Sequence, residues 1–467
     1  SDSDGKRTID LELHPVDPNR IQGPDVQAAL RGATLEGRFQ QTPGQAWHGL
    51  VQARLDHGQL ALPEQDLALR SISATIPWGF GNGGGEHRSG RFEVRGIRIR
   101  GVEVPGPEGS VGISNTTLRL DGLWRVAPEI TLNLDLNLDL ADTGLSGHAR
   151  VHSDWFDLPR PETLARFSPA LQELELDISG EALLDMRIAV QGGRVEPFVE
   201  FQLRDTALHA AKQNLRLHGL TLKTAVDSLQ PLLTAPQQGM HLTFSELEWQ
   251  DFAVHHGDFR LRLVPEALIV DSGACSLEPG GDIRLYEGRW DLERKTGSAR
   301  IYLHEINALR LIQEVTDNKL VGSGLFSGRF ALAWDHQGLR LNGGHLYALP
   351  GSGTLGVKDE AWLEKLLFYV RQSMAGQKYL SLLSERLEQA LREFEYDFFS
   401  LRLVPQGEEV TARVELRGQG KRGDPPQRVG SLVFNINDVQ QALNQALHWG
   451  KQKAVRRALE ELMEPAP

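Results

Sequence analysis

Ten residues from Thr131 to Leu140, TLNLDLNLDL, alternate leucine with asparagine or aspartate without a break. Successive side chains of a strand point to opposite faces. Leu132, Leu134, Leu136, Leu138 and Leu140 therefore share one face, and Asn133, Asp135, Asn137 and Asp139 the other. At about 3.3 Å per residue such a strand is roughly 30 Å long. The same grammar recurs between Val321 and Val357. There Phe326, Phe330, Leu332 and Trp334 oppose Ser327 and Arg329, and Leu339 and Leu341 alternate with Arg340 and Asn342. Asp335 to Gly338, the Gly343 and Gly344 pair, and Pro350 to Gly353 break the runs with turn chemistry.

Further strands of this kind are predicted at Leu174–Ile178, Phe198–Leu203, Leu215–Leu222, His241–Trp249, Phe259–Leu263, Ile283–Leu285 and Ala299–Leu303. Short helices are expected within Pro159–Leu171 and over Asn307–Val315. From Asp359 to about Glu395 the period becomes helical, with Trp362, Leu366, Leu380, Leu383, Leu387 and Leu391 along one side. Strands resume at Phe398–Leu403, Val410–Leu416 and Ser431–Ile436, and Asn437 or Asp438 caps a last helix to about Met463. The organisation expected is a β-rich region over residues 1–357 and an α/β cap over residues 358–467 that carries two amphipathic helices.

Most strands are half apolar, and helices are few before Asp359. Burying apolar surface is worth about 25 cal/mol per Å², so a sheet with one apolar face must cover it. A second sheet can pack on it as a sandwich or barrel, helices can cover it, or the sheet can curl into a trough wetted by lipid acyl chains. Too few helices are present for the second, and periodicity alone favours the first.

A formal net charge of -12 argues against a nucleic-acid surface, which leaves a basic footprint. The single cysteine, Cys275, excludes an internal disulfide framework and reads as a buried or inert thiol. No window approaches the roughly 18 to 20 apolar residues of a membrane span. The N-terminus reads as trimmed, so an anchor upstream is expected to be missing. The glycine-rich stretch Gly79–Gly85 runs into a strand rather than a helix, so it is read as a loop rather than a phosphate cradle. The alternating Asn and Asp of Thr131–Leu140 lack the tight glycine turn of a calcium loop, and the carboxylate pairs Asp135/Asp139 and Glu173/Glu175 fall on solvated strand faces. His209, His218, His255 and His256 fit no zinc spacing. Ser323 and Ser352, each between glycines, lack the strand-to-helix context of a nucleophile elbow. The expectation is no catalytic residue, no metal and no cofactor.

Between about residues 280 and 450 the sequence resembles the YdbH-like proteins of the AsmA-like superfamily. The resemblance is carried by Gly281 to Leu285 (GDIRL), Leu303 to Leu309 (LHEINAL), Gly322 to Gly328 (GSGLFSG), Leu341 to Leu346 (LNGGHL) and Pro350 to Leu355 (PGSGTL). That family is similar to the bridge-like lipid transfer proteins. The resemblance implies a mainly β fold: an elongated, curled antiparallel sheet, the repeating β-groove, with a hydrophobic interior. It implies phospholipid transport between the inner and outer membranes of a Gram-negative envelope, a periplasmic location, an inner-membrane anchor, and a small outer-membrane lipoprotein as partner at the C-terminal end. It therefore raises the trough above the sandwich. The alternative is a non-catalytic periplasmic β-sandwich that scaffolds envelope partners. On the trough reading, acyl chains would lie on Leu132, Leu134, Leu136, Leu138, Leu174, Leu176, Phe259, Leu261, Leu263, Phe330, Leu332 and Trp334. The edge offered to the lipoprotein would be Ser431, Leu432, Val433, Phe434, Asn435 and Ile436.

Overall fold

The structure, a computed structural model, describes residues 7–436 except 14–18, 23–26, 43–45, 64–65, 81–88, 100, 115, 140–145, 164–175, 192–193, 230–231, 236–237, 250–251, 278–279, 308–318, 337, 352, 362, 365–366, 369–387, 389–390, 407–408 and 422–426. The chain divides into two units. The first comprises Ser1–Lys212 and Leu220–Gln238, the second Gln213–Gly219 and Gly239–Pro467.

The first unit holds β1 (Arg7–Leu13), β2 (Asn19–Gln22), β3 (Gln27–Gln41), β4 (His48–Leu62), β5 (Leu67–Phe80), β6 (Gly90–Ile99), β7 (Val102–Pro105), β8 (Glu108–Ser114), β9 (Thr117–Ala127), β10 (Ile130–Asp139), β11 (Ser146–His152), β12 (Phe156–Asp157), β13 (Leu176–Gln191) and β14 (Arg194–Ala210). Strands β15 (Leu215–Leu229) and β16 (Leu232–Thr234) follow. Both β1 and β2 pair with β3, and the sheet then runs β3 to β6 in chain order. The two ends of β6 take β7 and β8, and pairing continues through β9, β10, β11, β13 and β14. All these ladders are antiparallel; one parallel contact joins Trp78 and Gly79 of β5 to Ile113 and Ser114 of β8.

The second unit holds β17 (Met240–Trp249), β18 (Phe252–Val264), β19 (Ala267–Leu277), β20 (Asp282–Asp291), β21 (Thr296–Ile306), β22 (Leu320–Ser323), β23 (Phe326–Asp335), β24 (Gly338–Ala348), β25 (Gly353–Val357), β26 (Phe394–Gln406), β27 (Glu409–Gly420) and β28 (Gln427–Ile436). Its spatial order is β17, β18, β19, β20, β21, β23, β24, β26, β27, β28, antiparallel throughout. Strand β22 pairs with β25, which joins β26 beside β24. Among the described residues β28 pairs only with β27, and the sheet is not closed.

Alternation explains why these residues form strands, and bulges explain how the alternation survives over such lengths. His256, Glu287 and Glu305 adopt left-handed φ values of 53°, 52° and 54° at breaks in register. Each inserts a residue, bends its strand and resets parity. The apolar side chains thus stay on one face although the spacing in sequence slips by one.

Helix is minor. It is described at residues 161–163, at Glu360, Ala361, Leu363, Glu364, Leu367 and Phe368, and at Glu388, Leu391 and Arg392. Leu363, Leu367 and Leu391 pack with Val357, and Arg392 donates to Glu360 and Glu388. A C-terminal cap of two amphipathic helices is not supported: most of the first expected helix, all of the last one and the Asn307–Val315 helix after its first residue lie outside the described residues.

The largest buried cluster lies in the second unit. Phe326, Leu355, Phe394, Tyr396 and Leu416 are among its members, and Tyr396 Oη donates to the Ser323 carbonyl over 2.8 Å. A Cβ at Gly324 or Gly353 would strike the Tyr396 hydroxyl, so the glycines beside Ser323 and Ser352 make room for a ring rather than shape a nucleophile. Burial pushes the Tyr396 phenol up to about 12.

An uncovered apolar sheet face as the candidate functional site

Strand register assembles the apolar residues into rows that cross the strands. In the first unit one row reads Ala33, Leu55, Ala74, Phe92, Gly109, Gly122, Leu134, Val151, Met186 and Val199, one residue from each of ten strands. In the second unit the corresponding kind of row reads Leu242, Phe259, Gly273, Leu285, Ile301, Phe330, Gly344, Leu403, Ala412 and Ile436, again across ten strands. At ~4.8 Å between strands each row is about 43 Å long.

Neither row contains a charge. The neighbouring positions on the other face do. Asp121, Asp135, Arg150 and Arg187 stand opposite one another on β9, β10, β11 and β13. Their ionic bonds are local: Arg150 and Arg187 both donate to Asp185, at 2.9 and 2.5 Å. The hydrogen bond from Arg150 holds the Asp185 carboxyl down at about 2, with Arg187 adding to it against the opposing effect of burial. The sheet is thus two-faced: one side is a salt-bridged, watered surface and the other is hydrocarbon.

The hydrocarbon side holds buried clusters around Phe92, Phe244, Phe326 and Leu403, but much of it is not covered like a core. Leu134, Leu136, Leu138, Leu261, Leu263, Phe330 and Leu332 are only half-buried. Ile9 on β1 is 51% exposed, Trp78 on β5 45% and Trp290 on β20 45%, and all three lie on the apolar side by register. In a sandwich the packed partner sheet would bury such positions at an interior of ~10 Å thickness. Large apolar side chains left exposed along rows of this length point to a binding surface.

Aromatic rings keep this face low. Phe92 lies over Gly109 and Gly122, each of whose added Cβ would come within 2.9 Å of the ring. Phe259 covers Gly273, Phe330 covers Gly344, Phe244 covers Gly257 and Trp334 covers Gly297, each glycine directly across the ladder. A glycine on the next strand lets a ring lie along the sheet instead of standing up from it. Phe244 and Phe259 stack at 5.9 Å in this way.

The residues expected to line a groove are placed as follows. Leu132 is buried, and Leu134, Leu136 and Leu138 follow it on β10. Leu176 begins β13 opposite Ala210; Leu174 lies outside the described residues. Phe259, Leu261 and Leu263 are on β18, and Phe330, Leu332 and Trp334 on β23, with Phe259 and Phe330 in one row. The first-unit and second-unit residues belong to separate units. The Ser431–Ile436 stretch is the second half of β28; Ser431 and Asn435 are exposed and Leu432 is buried against the Tyr396 cluster. Sequence reasoning missed the glycines under the rings and Tyr396. Each becomes recognisable only once the neighbouring strand is known.

Chemistry is sparse on this face. Cys275, opposite Ile283, is the one thiol; burial first, and Asp282 second, push it up to about 11, which disfavours the reactive thiolate. Among the described residues no group of three or more His, Cys, Asp or Glu is placed to hold a metal ion. Among them also, no helix is long and apolar enough to cross a membrane.

Comparison with known proteins agrees with this geometry. The family model described as YdbH-like, intermembrane phospholipid transport protein YdbH, matches residues 16–437, most of the chain. No curated protein and no solved structure matches. A transport family and a large antiparallel sheet with one uncovered apolar face fit one another, and the chain belongs to the YdbH-like family of intermembrane phospholipid transport proteins.

Proposed function

We propose that the uncovered apolar face is the surface along which phospholipid acyl chains are carried, in a bridge between the inner and outer membranes of a Gram-negative envelope. The observation that carries this is the pair of charge-free rows, each across ten strands, in which positions such as Leu55, Leu134, Met186, Leu285, Ile301 and Phe330 are left only half-buried. Leaving a bilayer through water exposes methylenes at ~0.8 kcal/mol each, on the order of 25 kcal/mol for two sixteen-carbon chains. A continuous hydrocarbon surface removes most of that barrier. Because successive positions are alike (Leu285, Ile301, Phe330), no site binds a chain much more tightly than the next, and movement down a gradient needs no chemistry. The headgroup stays in water, since the face offers it no charge. Leu132, Leu134, Leu136, Leu138, Leu174, Leu176, Phe259, Leu261, Leu263, Phe330, Leu332 and Trp334 are the proposed lining.

On this reading the protein works in the periplasm, held to the inner membrane by a segment outside this sequence, and residues 358–467 complete the groove. The Ser431–Ile436 edge of β28 accepts a strand from a small outer-membrane lipoprotein, since an edge strand presents unpaired backbone groups. Native mass spectrometry with lipid extraction tests the core of the proposal. Several phospholipids bound per chain are expected. A lipid-free protein that takes up none from vesicles would overturn it and leave the sheet as a scaffold.

A further inference from the structure

On the charged face of the second unit, register aligns Arg284 of β20, Tyr302 of β21, Arg329 of β23, His345 of β24, Arg402 of β26 and Arg413 of β27 in single file. Five inter-strand steps make the file about 24 Å long. The four arginines are exposed. Among the described residues none of the four guanidinium groups has a hydrogen bond or ion pair. Elsewhere on these outer faces pairing is common: Arg262 with Asp271 at 2.6 Å, Arg300 with Glu287 at 2.8 Å, Arg340 with Asp335, and in the first unit Arg91 with Glu108 at 3.3 Å. The chain carries 62 acidic residues against 50 basic ones, so a line of unmatched arginines is not a by-product of surplus cations. Like charges on adjacent strands repel, which makes the file a cost to the free protein.

We propose that this file is a docking line for an acidic helix of a partner protein laid across the strands. Arg284, Arg329 and Arg402 stand on alternate strands, ~9.6 Å apart. Residues seven apart on a helix are ~10.5 Å apart along its axis, so carboxylates at i, i+7 and i+14 reach all three. Each guanidinium presents a fork suited to a carboxylate. Tyr302, edge-on to Tyr286 at 5.4 Å, and His345, stacked on Tyr347 at 6.0 Å, supply flat contact area between the charges. The file is one residue wide. Its flanks on the same face mix neutral Ser327, Ala331, Gly343 and Ser400 with acidic Asp282 and Glu415 beside the two end arginines and basic Arg300 and His304 on β21, and the carboxylates at both ends suit a linear partner rather than a flat anionic bilayer. A chain of net charge -12 is, besides, repelled by an anionic membrane.

The inference concerns the face opposite the lipid surface and does not depend on it. The test uses the full chain and a fluorescent helical peptide of about 21 residues with glutamates at i, i+7 and i+14. Anisotropy is read for the wild type, for R329E/R402E, and for R119E/R125E, which makes the same charge change on exposed first-unit positions. Expected are binding that weakens with salt, a loss of at least about tenfold for R329E/R402E, and little change for R119E/R125E. R329Q/R402Q, with its circular dichroism melt, separates lost docking from lost folding and should lose most of the same affinity. Equal loss in R119E/R125E would mean net charge alone, and no binding by the wild type would remove the docking line. Sedimentation with anionic phosphatidylglycerol vesicles that R329E/R402E abolishes, with peptide binding unmoved, would assign the file to a membrane surface instead. Each of these outcomes overturns the proposal.

Discussion

Asp185 shows how a single residue on the charged face secures the strands beneath the apolar one. Four guanidinium N–H groups, two from Arg150 and two from Arg187, converge on its carboxylate. Arg150 sits on β11 and Asp185 on β13, so the bond crosses a ladder. Its folded carboxyl titrates at about 2, below the ordinary value of 3.8. A depressed carboxylate stabilises the fold fully above its unfolded value and loses that contribution as pH falls towards 2. Asp185→Asn keeps the shape but removes the charge. We expect it to cost about 1.5–3 kcal/mol at neutral pH, by the scale of hydrogen bonds to charged groups, and to flatten the acid limb of a urea-stability profile between pH 4 and 2. An unchanged acid limb in the variant would show that Asp185 is not its source. On the other face, Gly273 lacks a left-handed φ, and a Cβ there first meets the Phe259 ring. Gly273→Val should raise that ring into the open space above the sheet. Overpacking costs ~1–3 kcal/mol, at the low end where a side chain can swing away. Bound lipid per chain, measured by extraction, should fall by more than that small destabilisation explains.

Within an element, the period-2 pattern gives strand identity and face, which is why β10, β18 and β23 are legible from sequence alone. What lies across the ladder is not. The leucines of Thr131–Leu140 reveal their face, but that Gly122 and Val151 flank Leu134 comes only from register. The same holds for the glycines under rings and for the arginine file, whose members are up to 129 residues apart, Arg284 to Arg413. Bulges hide further structure: the left-handed residue at Glu287 lets Leu285 and Gly288 share a side that simple alternation assigns to opposite ones. The difference between a sandwich and an open face is likewise silent in a strand, because both need the same alternation; only half-exposure of Leu136 separates them. That distinction has a measurable consequence. A charge placed in a dry core costs several kcal/mol and unfolds it, whereas on a water-accessible face it is solvated. Leu136→Asp should therefore lower the melting temperature by only a few degrees while abolishing lipid passage between donor and acceptor vesicles. Cooperative unfolding at room temperature in that variant would mean that the position is a core after all.

For the whole molecule, an uncovered hydrocarbon face makes stability a function of cargo. Lipid that binds the folded sheet and not the unfolded chain adds RT ln(1 + [L]/Kd), about 2.7 kcal/mol at a hundredfold excess over Kd. Protein stripped of lipid should then melt lower and self-associate, since the exposed rows are free to meet those of another copy. Adding phospholipid back should restore the melting temperature in proportion to the logarithm of its concentration. The tryptophans give a second, local readout: Trp78 and Trp290 stand exposed on the apolar side, so phospholipid brominated on its acyl chains should quench them, while bromide free in water should quench the stripped protein better than the loaded one. A stripped protein with unchanged melting, and tryptophans blind to brominated chains, would mean that something other than lipid covers the face. The two readouts are independent, because melting reports the whole folded sheet and quenching only the apolar side that carries Trp78 and Trp290.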